Sequence, residues 1–348
     1  MNPYILATLL FGLGLGTTIT FASSHWLFAW MGLEINTLAI IPLMAQSHHP
    51  RAVEATTKYF LAQATAAAML LFASISNAWL SGQWDIHQMS HPLPMTLITL
   101  ALALKIGLAP LHTWMPEVLQ GLDLTTGLIL STWQKLAPFC LLLQVQPANA
   151  TLLLVLGITS TLVGGWGGLN QTQLRKILAY SSIAHLGWMI LVLQFSPSLT
   201  FLTLLVYFIM TFSLFISFKI SNATNINTLA TSWAKAPALT SIIPLILLSL
   251  GGLPPLTGFL PKWLILQELT KQDLAPLATV AALSALLSLF YYLRLSYAMT
   301  LTMTPNNLTA TLPWRLPSLQ TTLPLAIASS ATICLLPFAP AIAALFTW

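Results

Sequence analysis

GLAPLHTWMPE at residues 107–117 and GLPPLTGFLPK at residues 252–262 decide the fold of this chain. Gly, Leu, Pro, Leu and Pro recur in register in the two stretches, and Trp114 is matched by Phe259. Each stretch interrupts an apolar segment that is longer than the about 20 residues needed to cross a bilayer. Helix-breaking residues at corresponding places of two long spans are typical of internally repeated transport proteins. The alternative is a coincidence of Gly and Pro, which are common in membrane helices.

Almost the whole chain is apolar. Of its 348 residues, 57% are hydrophobic and only 5% are charged, and the mean hydropathy is +0.83. Apolar runs of about 20 residues follow one another, and a helix satisfies all of its backbone groups inside lipid. The composition therefore predicts an all-α polytopic membrane protein with no room for a soluble domain. The basic residues are scattered singly, which argues against a nucleic-acid-binding surface.

Eleven apolar segments follow one another along the chain. They lie near residues 3–22, 25–45, 57–80, 95–120, 125–146, 150–168, 175–194, 199–220, 238–270, 276–300 and 322–346. The fourth and the ninth are the interrupted segments, and each could be one discontinuous helix or two short ones. If each is a single span, the loops on the amino-terminal side carry seven basic residues and the opposite side carries only Lys271. The positive-inside rule then places the amino terminus in the cytoplasm or the mitochondrial matrix, and the carboxyl terminus on the far side.

The two interrupted spans are five spans apart. This odd separation means that they cross the membrane in opposite directions, so the repeats would be related by inverted topology. We expect a first repeat at residues 1–148 with spans one to five, and a second at residues 149–301 with spans six to ten. A loop and a final helix would occupy residues 302–348, and we expect the polar connectors at residues 221–237 and 302–321 to be surface loops. Each break frees backbone groups that need partners, and therefore predicts a hydrated pocket.

Four ionisable residues lie deep within apolar segments, where water should be absent, namely Glu34, Lys105, Lys135 and Lys262. A charge at the bilayer centre costs about 3 kcal/mol or more, so such residues are normally buried in protein and functional. Lys135 is about ten residues, or roughly 15 Å, from either end of its span, which is too far for its side chain to reach the interface comfortably. The alternative for Lys105 and Lys135 is a structural lysine bonded to backbone carbonyls. For Lys262 it is a lysine near the lipid headgroups.

Glu34 is the one carboxylate in the middle of a span. Buried alone it would be protonated, whereas beside a lysine it would ionise, and the pair would titrate as a unit. A static buried ion pair is the alternative. Two histidines are candidate proton relays: His112 inside the first break, and His185, which follows Ser181 and Ser182 on one helix. Packed and hydrogen-bonded histidines would look the same in sequence.

The sequence contains no motif for a redox cofactor or a metal. No Gly-rich phosphate-binding loop follows a strand, and no cysteine cluster or pair of facing histidines indicates an iron–sulfur cluster or haem. Cys140 and Cys334 each lie inside an apolar run and are expected to be packing residues. The first segment lacks the features of a cleaved signal or transit peptide, and we interpret it as a retained span.

Five segments carry a resemblance to a known family. They are SSHWLFAWMGLEINTLAIIPLM (23–44), PRAVEATTKYFLAQATAA (50–67), STWQKLAP (131–138), QTQLRKILAYSSIAHLGW (171–188) and GGLPPLTGF (251–259). Together they resemble the vertebrate subunit 2 family of mitochondrial NADH:ubiquinone oxidoreductase, respiratory complex I, over essentially the full chain. The resemblance implies an antiporter-like membrane subunit, similar to Mrp-type cation/proton antiporters and built from two inverted five-helix repeats. The resemblance further implies that fuller members of the family carry fourteen spans and that this chain would lack the first three.

The resemblance also implies a role for each buried charge. Glu34 would be the paired glutamate, Lys105 its partner, Lys135 the central lysine and Lys262 the terminal charge of the second broken helix, in one lateral path. The implied activity is proton translocation across the mitochondrial inner membrane, coupled to electron transfer from NADH to ubiquinone. FMN and the iron–sulfur clusters would lie in other subunits, and the partners would be other membrane-arm subunits, including neighbouring antiporter-like ones, and lipids. A stand-alone cation/proton antiporter and a scaffold that uses the charges only for assembly are the alternatives.

Overall fold

The structure is a computed structural model divided into two compact units, Met1–Leu156 and Gly157–Trp348. It describes residues 2–46, 48–89, 91–145, 150–234, 236–301 and 322–338, together with 341 and 344. These residues form helices, turns and two isolated bridges, and no β-strand is present among them. The prediction of an all-helical protein is confirmed.

Each unit contains helices in the order that the apolar segments predict. The first unit contains α1 (Pro3–Ala22), α2 (Trp26–Met44), α3 (Pro50–Ser81), α4 (Pro92–Ile106), α5 (Trp114–Gly121), α6 (Leu124–Ser131) and α7 (Trp133–Val145). The helix α8 (Ala150–Gly167) contains the boundary between the units. The second unit continues with α9 (Leu174–Val192), α10 (Pro197–Ser221), α11 (Ile226–Ala230), α12 (Pro237–Gly251), α13 (Phe259–Lys271), α14 (Ala275–Thr300) and α15 (Leu323–Cys334). The count of eleven spans stays a prediction.

Seven of the described helical stretches are long and apolar enough to cross a membrane. They are α1, α2, α3, α8, α10, α14 and the α6–α7 pair. With 32 residues, α3 is about 48 Å long at 1.5 Å per residue, whereas the hydrocarbon core of a bilayer is about 30 Å thick. If α3 crosses a bilayer without strong tilt, it therefore extends beyond the apolar layer.

Both predicted helix breaks are present. Helices α4 and α12 contain 15 residues each, and each stops at a glycine with a left-handed backbone, Gly107 (φ 86°) and Gly252 (φ 82°). The amide of each glycine and that of the following Leu donate to one shared carbonyl, that of Ala103 or Leu248. Glycine adopts this conformation at little cost, which makes it a common carboxyl-terminal cap. The two stretches that decide the fold therefore end their helices with the same geometry.

The fifth predicted segment contains a kink that the sequence analysis did not predict. Helices α6 and α7 meet at Thr132, whose backbone angles are φ −114° and ψ −72°. Pro138 inside α7 has no amide to donate to the carbonyl of Gln134, and its ring crowds that carbonyl. The helix is therefore weakened one turn before the proline, and Lys135 lies on the first turn of α7.

The two expected surface loops have different outcomes. Residues 221–237 contain the short helix α11 and a 3₁₀ turn, so this segment is more regular than expected. A reciprocal cap explains where α11 begins, because the side chain of Asn225 accepts from the Thr228 amide and the Thr228 hydroxyl accepts from the Asn225 amide. The other expected loop, residues 302–321, lies outside the described residues. Cys140 and Cys334 are both free.

Candidate functional site

A polar cavity lies inside the first unit. It lies between α2, α3, α4, α5 and the α6–α7 pair, and is large enough for bound water. Its wall includes seven residues with amide, hydroxyl or ammonium groups: Asn36, Thr37, Tyr59, Gln63, Lys105, Gln134 and Lys135. Polar groups that converge on an internal space in an apolar bundle are suited to bind water. The cavity adjoins the first helix break, where the sequence predicts a hydrated pocket.

Lys105 lies in the cavity wall near the end of α4, with only 6% of its surface exposed. Its Nζ has no hydrogen-bond partner among the residues that the structure describes. Its carbonyl accepts a hydrogen bond from Gln63 Nε2 at 3.3 Å, which fixes this part of α4 to α3. A buried ammonium without a hydrogen-bonding partner is strongly disfavoured. Lys105 therefore either binds water in the cavity or gives up its proton.

Glu34 lies on α2 and is half-buried. Its carboxylate accepts a hydrogen bond from the Thr37 hydroxyl at 2.9 Å. Glu34 and Lys105 form no direct ion pair in the described structure, but they interact electrostatically, as Glu34 also does with Tyr59. A separated pair of this kind responds to small changes in the position or charge of the carboxylate, because the interaction depends on distance. The structure thus contains a separated pair instead of a static contact pair.

Lys135 shares the cavity with Lys105. It is 3% exposed, and the α6–α7 kink places it at the wall. The neighbouring Gln134 donates from Nε2 to the Asn36 carbonyl at 3.3 Å, which joins α7 to α2. The cavity thus brings together two of the predicted lysines, and one of them feels the charge of the predicted glutamate.

Asn36 is a cavity residue that the sequence analysis missed. It is 2% exposed, and neither Oδ1 nor Nδ2 of its side chain has a hydrogen-bond partner among the described residues. Buried amides are normally paired with protein or water, so an amide in this position indicates a place for bound water. The sequence contained a signal for it, because Asn36 is an amide two residues after Glu34 in an apolar span. Gln63 in α3 is a second amide in an apolar span that was overlooked.

The first break contains His112. The side chain is half-buried, and its Nδ1 has no hydrogen-bond partner among the described residues. On the other side of the break, the Trp114 indole donates to the Leu104 carbonyl at 3.0 Å. One carbonyl freed by the break is thus satisfied by a side chain from the following helix. His112 lies in the predicted place, but it is not among the residues that line the cavity.

Lys262 occupies the corresponding place at the second break. Its Nζ donates to the Gly251 carbonyl at 2.7 Å and to the Leu250 carbonyl at 3.3 Å, and the residue is only 9% exposed. The ammonium therefore caps the carboxyl end of α12, where the helix dipole favours a positive charge. A Cβ added to Gly252 would lie 2.8 Å from Lys262 Cδ, so glycine also leaves room for the side chain. Lys262 is held inside the protein and is not a surface lysine.

His185 lies on α9 and is half-buried. Its ring lies 5.6 Å, centroid to centroid, from the ring of Tyr207 on α10. Ser181 and Ser182, which precede it on α9, are each 1% exposed and donate to carbonyls of their own helix. The structure therefore places His185 within a buried polar region of the second unit.

A charged cluster lies near the start of α3. Lys58 forms an ion pair with Glu54, at 2.7 Å, and a second pair with Glu117 of α5, at 2.8 Å. All three side chains are at least 42% exposed, so the pairs add little to stability. Among the residues that the structure describes, no group of His, Cys, Asp and Glu could hold a metal ion.

Comparisons with known proteins place the chain in a family. The family model described as "NADH:quinone oxidoreductase/Mrp antiporter, TM" matches residues 23–288, and the model described as "NADH dehydrogenase subunit 2 C-terminus" matches residues 289–343. The NADH-ubiquinone oxidoreductase chain 2 of Tetraodon nigroviridis is 77% identical over 346 residues, which cover 99% of this chain and 99% of that protein.

Two solved structures show the same fold. A chain of respiratory complex I from Thermus thermophilus with bound aureothin has a TM-score of 0.85 and 29% identity, over 97% of this chain and 78% of its own length. A chain of the Mrp complex from Dietzia sp. DQ12-45-1b has a TM-score of 0.81 and 16% identity, over 96% of this chain and 75% of its own length, so that its likeness concerns the fold alone. Since the two family models together match residues 23–343, the chain belongs to the NADH:quinone oxidoreductase/Mrp antiporter membrane family, in its NADH dehydrogenase subunit 2 branch.

Proposed function

We propose that this chain is a proton-translocating subunit of the membrane arm of respiratory complex I, where translocation is coupled to electron transfer from NADH to ubiquinone. Its family and its 77% identical relative support the assignment. The observation that carries the mechanism is the Lys105 ammonium, which is buried without a hydrogen-bond partner among the described residues, in a cavity that it shares with Lys135. A lysine in this environment exchanges its proton with water or with a second base more readily than a paired lysine.

The proposed cycle starts at the separated pair of Glu34 and Lys105. Redox energy released in other subunits changes the position or the surroundings of Glu34. Because a nearby anion stabilises an ammonium, this change alters how firmly Lys105 holds its proton. Water in the cavity then carries the proton between Lys105 and Lys135. Lys262 and the relay candidates His112 and His185 continue the lateral path that the sequence predicts.

We propose the repeat architecture as well. It has eleven spans, in two inverted five-helix repeats at residues 1–148 and 149–301 and one further helix within residues 302–348. The matching glycine caps of α4 and α12 support it. A second support is a pair of isolated bridges, His25 with Asp85 and Gln173 with Asn225, which join corresponding loops of the two repeats.

The cellular setting follows from the same assignment. The chain would be a multi-pass protein of the mitochondrial inner membrane, with its amino terminus on the matrix side and its carboxyl terminus on the intermembrane-space side. Its partners would be other membrane-arm subunits, including neighbouring antiporter-like subunits, and lipids. FMN and the iron–sulfur clusters would be bound by other subunits, because the sequence of this chain contains no motif for binding them.

A stand-alone cation/proton antiporter is the second candidate, because the Mrp complex chain has the same fold. Extraction in mild detergent separates the two. We expect a tagged copy of this chain to copurify with NADH-oxidising activity and with the other membrane-arm subunits. Recovery of the chain alone, in a form that exchanges cations for protons in liposomes, would favour the antiporter.

Replacing Asn36 by Leu, which has the same branched shape but no polar atoms, is expected to lower the rate of proton pumping several-fold without loss of the complex. The change removes two polar atoms that have no described partner, which offsets the cost of packing larger methyl groups beside Gly16. It also removes groups that would bind water in the cavity. Acidification of proteoliposomes during NADH oxidation measures pumping, and thermal unfolding of the complex measures stability. The matched control is Leu38→Ala, at an exposed position of α2, and equal pumping by both variants would contradict the role of the cavity.

A further inference from the structure

Three tyrosines are buried in the second unit near the predicted relay histidine. Tyr207 on α10, and Tyr291 and Tyr292 on α14, are each 1% exposed. The rings of Tyr291 and Tyr292 lie 4.5 Å apart, centroid to centroid. The sequence analysis assigned no role to any of them. Phenol groups are seldom buried in apolar surroundings without a hydrogen-bond partner.

Two of these phenols form no full hydrogen bond with the residues that the structure describes. The Tyr292 hydroxyl lies near the hydroxyls of Tyr291 and Ser181. Neither Tyr291 Oη nor Tyr292 Oη, however, reaches a described partner with full hydrogen-bond geometry. The Ser181 hydroxyl already donates to the Leu178 carbonyl at 2.8 Å, so it has only its lone pairs to offer. Leaving a buried hydroxyl unpaired costs about 1–3 kcal/mol, which favours water bound beside these tyrosines.

Tyr292 lies next to the residue that binds Lys262. A Cβ added to Gly251 would lie 3.8 Å from Tyr292 Cδ2, and the Gly251 carbonyl accepts the hydrogen bond from Lys262 Nζ at 2.7 Å. The tyrosine ring and the lysine ammonium therefore approach the same residue at the end of α12. A proton that leaves Lys262 could reach the tyrosine hydroxyls through bound water.

On the opposite side, the tyrosines approach His185. The Tyr292 hydroxyl lies near Ser181, and the Tyr207 hydroxyl lies near Ser182, the next residue of α9. The Tyr207 ring in turn contacts the His185 ring, with 5.6 Å between their centroids. Polar side chains thus follow one another from Tyr292 through Ser181, Ser182 and Tyr207 to His185, and Tyr292 and Lys262 meet at Gly251, all within one compact unit.

We propose that Tyr292 and Tyr207 are proton-transfer residues that connect Lys262 with His185 by way of bound water. In each transfer, a lone pair of the phenol oxygen accepts a proton from water on one side while its O–H bond breaks toward the acceptor on the other side. The phenol ends neutral, so no charge stays on the tyrosine and no other reactant is needed. This proposal rests on the proposed function, because it describes how protons move within that activity.

The Tyr292→Phe substitution in the assembled complex tests the proposal. Phenylalanine keeps the buried ring, and the loss of an unpaired hydroxyl should not destabilise the protein. We expect proton pumping in proteoliposomes to slow by about tenfold or more. This is less than the about 100-fold or more by which a positioned proton-transfer group typically raises the rate of an enzyme reaction. The pH profile of pumping should change as well, which a purely structural role would not cause. The matched control is Tyr297→Phe on the same helix, where the side chain is 54% exposed and the variant should pump normally.

Every outcome of this test decides the proposal. If Tyr292→Phe pumps like Tyr297→Phe with the same pH profile, the hydroxyl has no part in transfer and the proposal fails. If Tyr292→Phe prevents assembly while Tyr297→Phe does not, the hydroxyl is structural and the proposal also fails. Lys135→Met separates this result from the proposed function. Pumping that survives Tyr292→Phe but not Lys135→Met overturns the tyrosine path alone, whereas pumping that survives both changes overturns the proposed function.

Discussion

Replacing Lys135 by Met is expected to abolish most proton pumping by this subunit while the complex still assembles. Methionine has a similar length and no charge, so it removes the proton carrier from the cavity and leaves an apolar side chain that fits a buried site. Lys135 is 3% exposed, so the substitution also removes the cost of burying an ammonium. Pumping should be measured as acidification of proteoliposomes per NADH oxidised, and assembly by native gel electrophoresis.

Lys271→Met is the matched control for this experiment. Lys271 lies at the end of α13 with 60% of its side chain exposed, and its ion pair with Glu268 spans 3.5 Å. Its loss should leave pumping unchanged. Full pumping by Lys135→Met would contradict the proposed function. Loss of the whole complex in Lys135→Met, but not in Lys271→Met, would support the scaffold alternative, in which the charge serves assembly.

Replacing Gly258 by Ala is expected to prevent formation of the second helix break. A Cβ at this position would overlap the carbonyl oxygen of Ser249 and lie 3.2 Å from Met210 Sδ. The Ser249 carbonyl belongs to the last turn of α12, so it cannot move away without unwinding the end of the helix. Overpacking of a core typically costs about 1–3 kcal/mol, and a backbone clash belongs at or above the upper end of that range. We expect a destabilisation of about 3 kcal/mol or more.

A destabilisation of this size should be visible as loss of the subunit from the complex, since about 1.4 kcal/mol changes an equilibrium constant tenfold. The amount of assembled subunit and its lifetime in pulse-chase labelling are the quantities to measure. Gly14→Ala on α1 is the control, because a Cβ at Gly14 has no neighbour within 4 Å. Normal assembly of Gly258→Ala would show that the approach of Gly258 to Ser249 is not required for the fold.

Most of the fold could be predicted from sequence because lipid allows few structures. Long apolar runs indicate helices, and Gly with Pro at residues 107–117 and 252–262 indicates both breaks, which the left-handed Gly107 and Gly252 confirm. The kink at Thr132 was missed because a single proline, Pro138, usually disturbs a membrane helix less than a Gly–Pro cluster does. Its effect on the preceding turn depends on how the helix packs.

The candidate site could be predicted only in part. Charges in apolar spans are conspicuous, so Glu34, Lys105 and Lys135 stand out in the sequence, and the structure brings both lysines to one cavity. The neutral members of the site do not stand out, because amides and tyrosines also occur as ordinary packing residues of membrane helices. Asn36 and Tyr292 become visible only when burial and hydrogen bonding are known. Sequence therefore indicates which groups carry charge, and the structure indicates which neutral groups surround them.

The bond between Lys262 and the end of α12 has a mechanical consequence. The ammonium satisfies the carbonyls of Gly251 and Leu250, and a cation at a helix carboxyl terminus contributes about 0.3–1 kcal/mol, or up to about 2 kcal/mol when partly buried. Protonation of Lys262 and the stability of the last turn of α12 therefore depend on each other. Removal of the Lys262 proton loosens this turn, and a force that loosens the turn makes the proton easier to remove. At the second break, a change in the charge of Lys262 therefore changes the stiffness of the backbone, and strain in the backbone in turn favours release of the Lys262 proton.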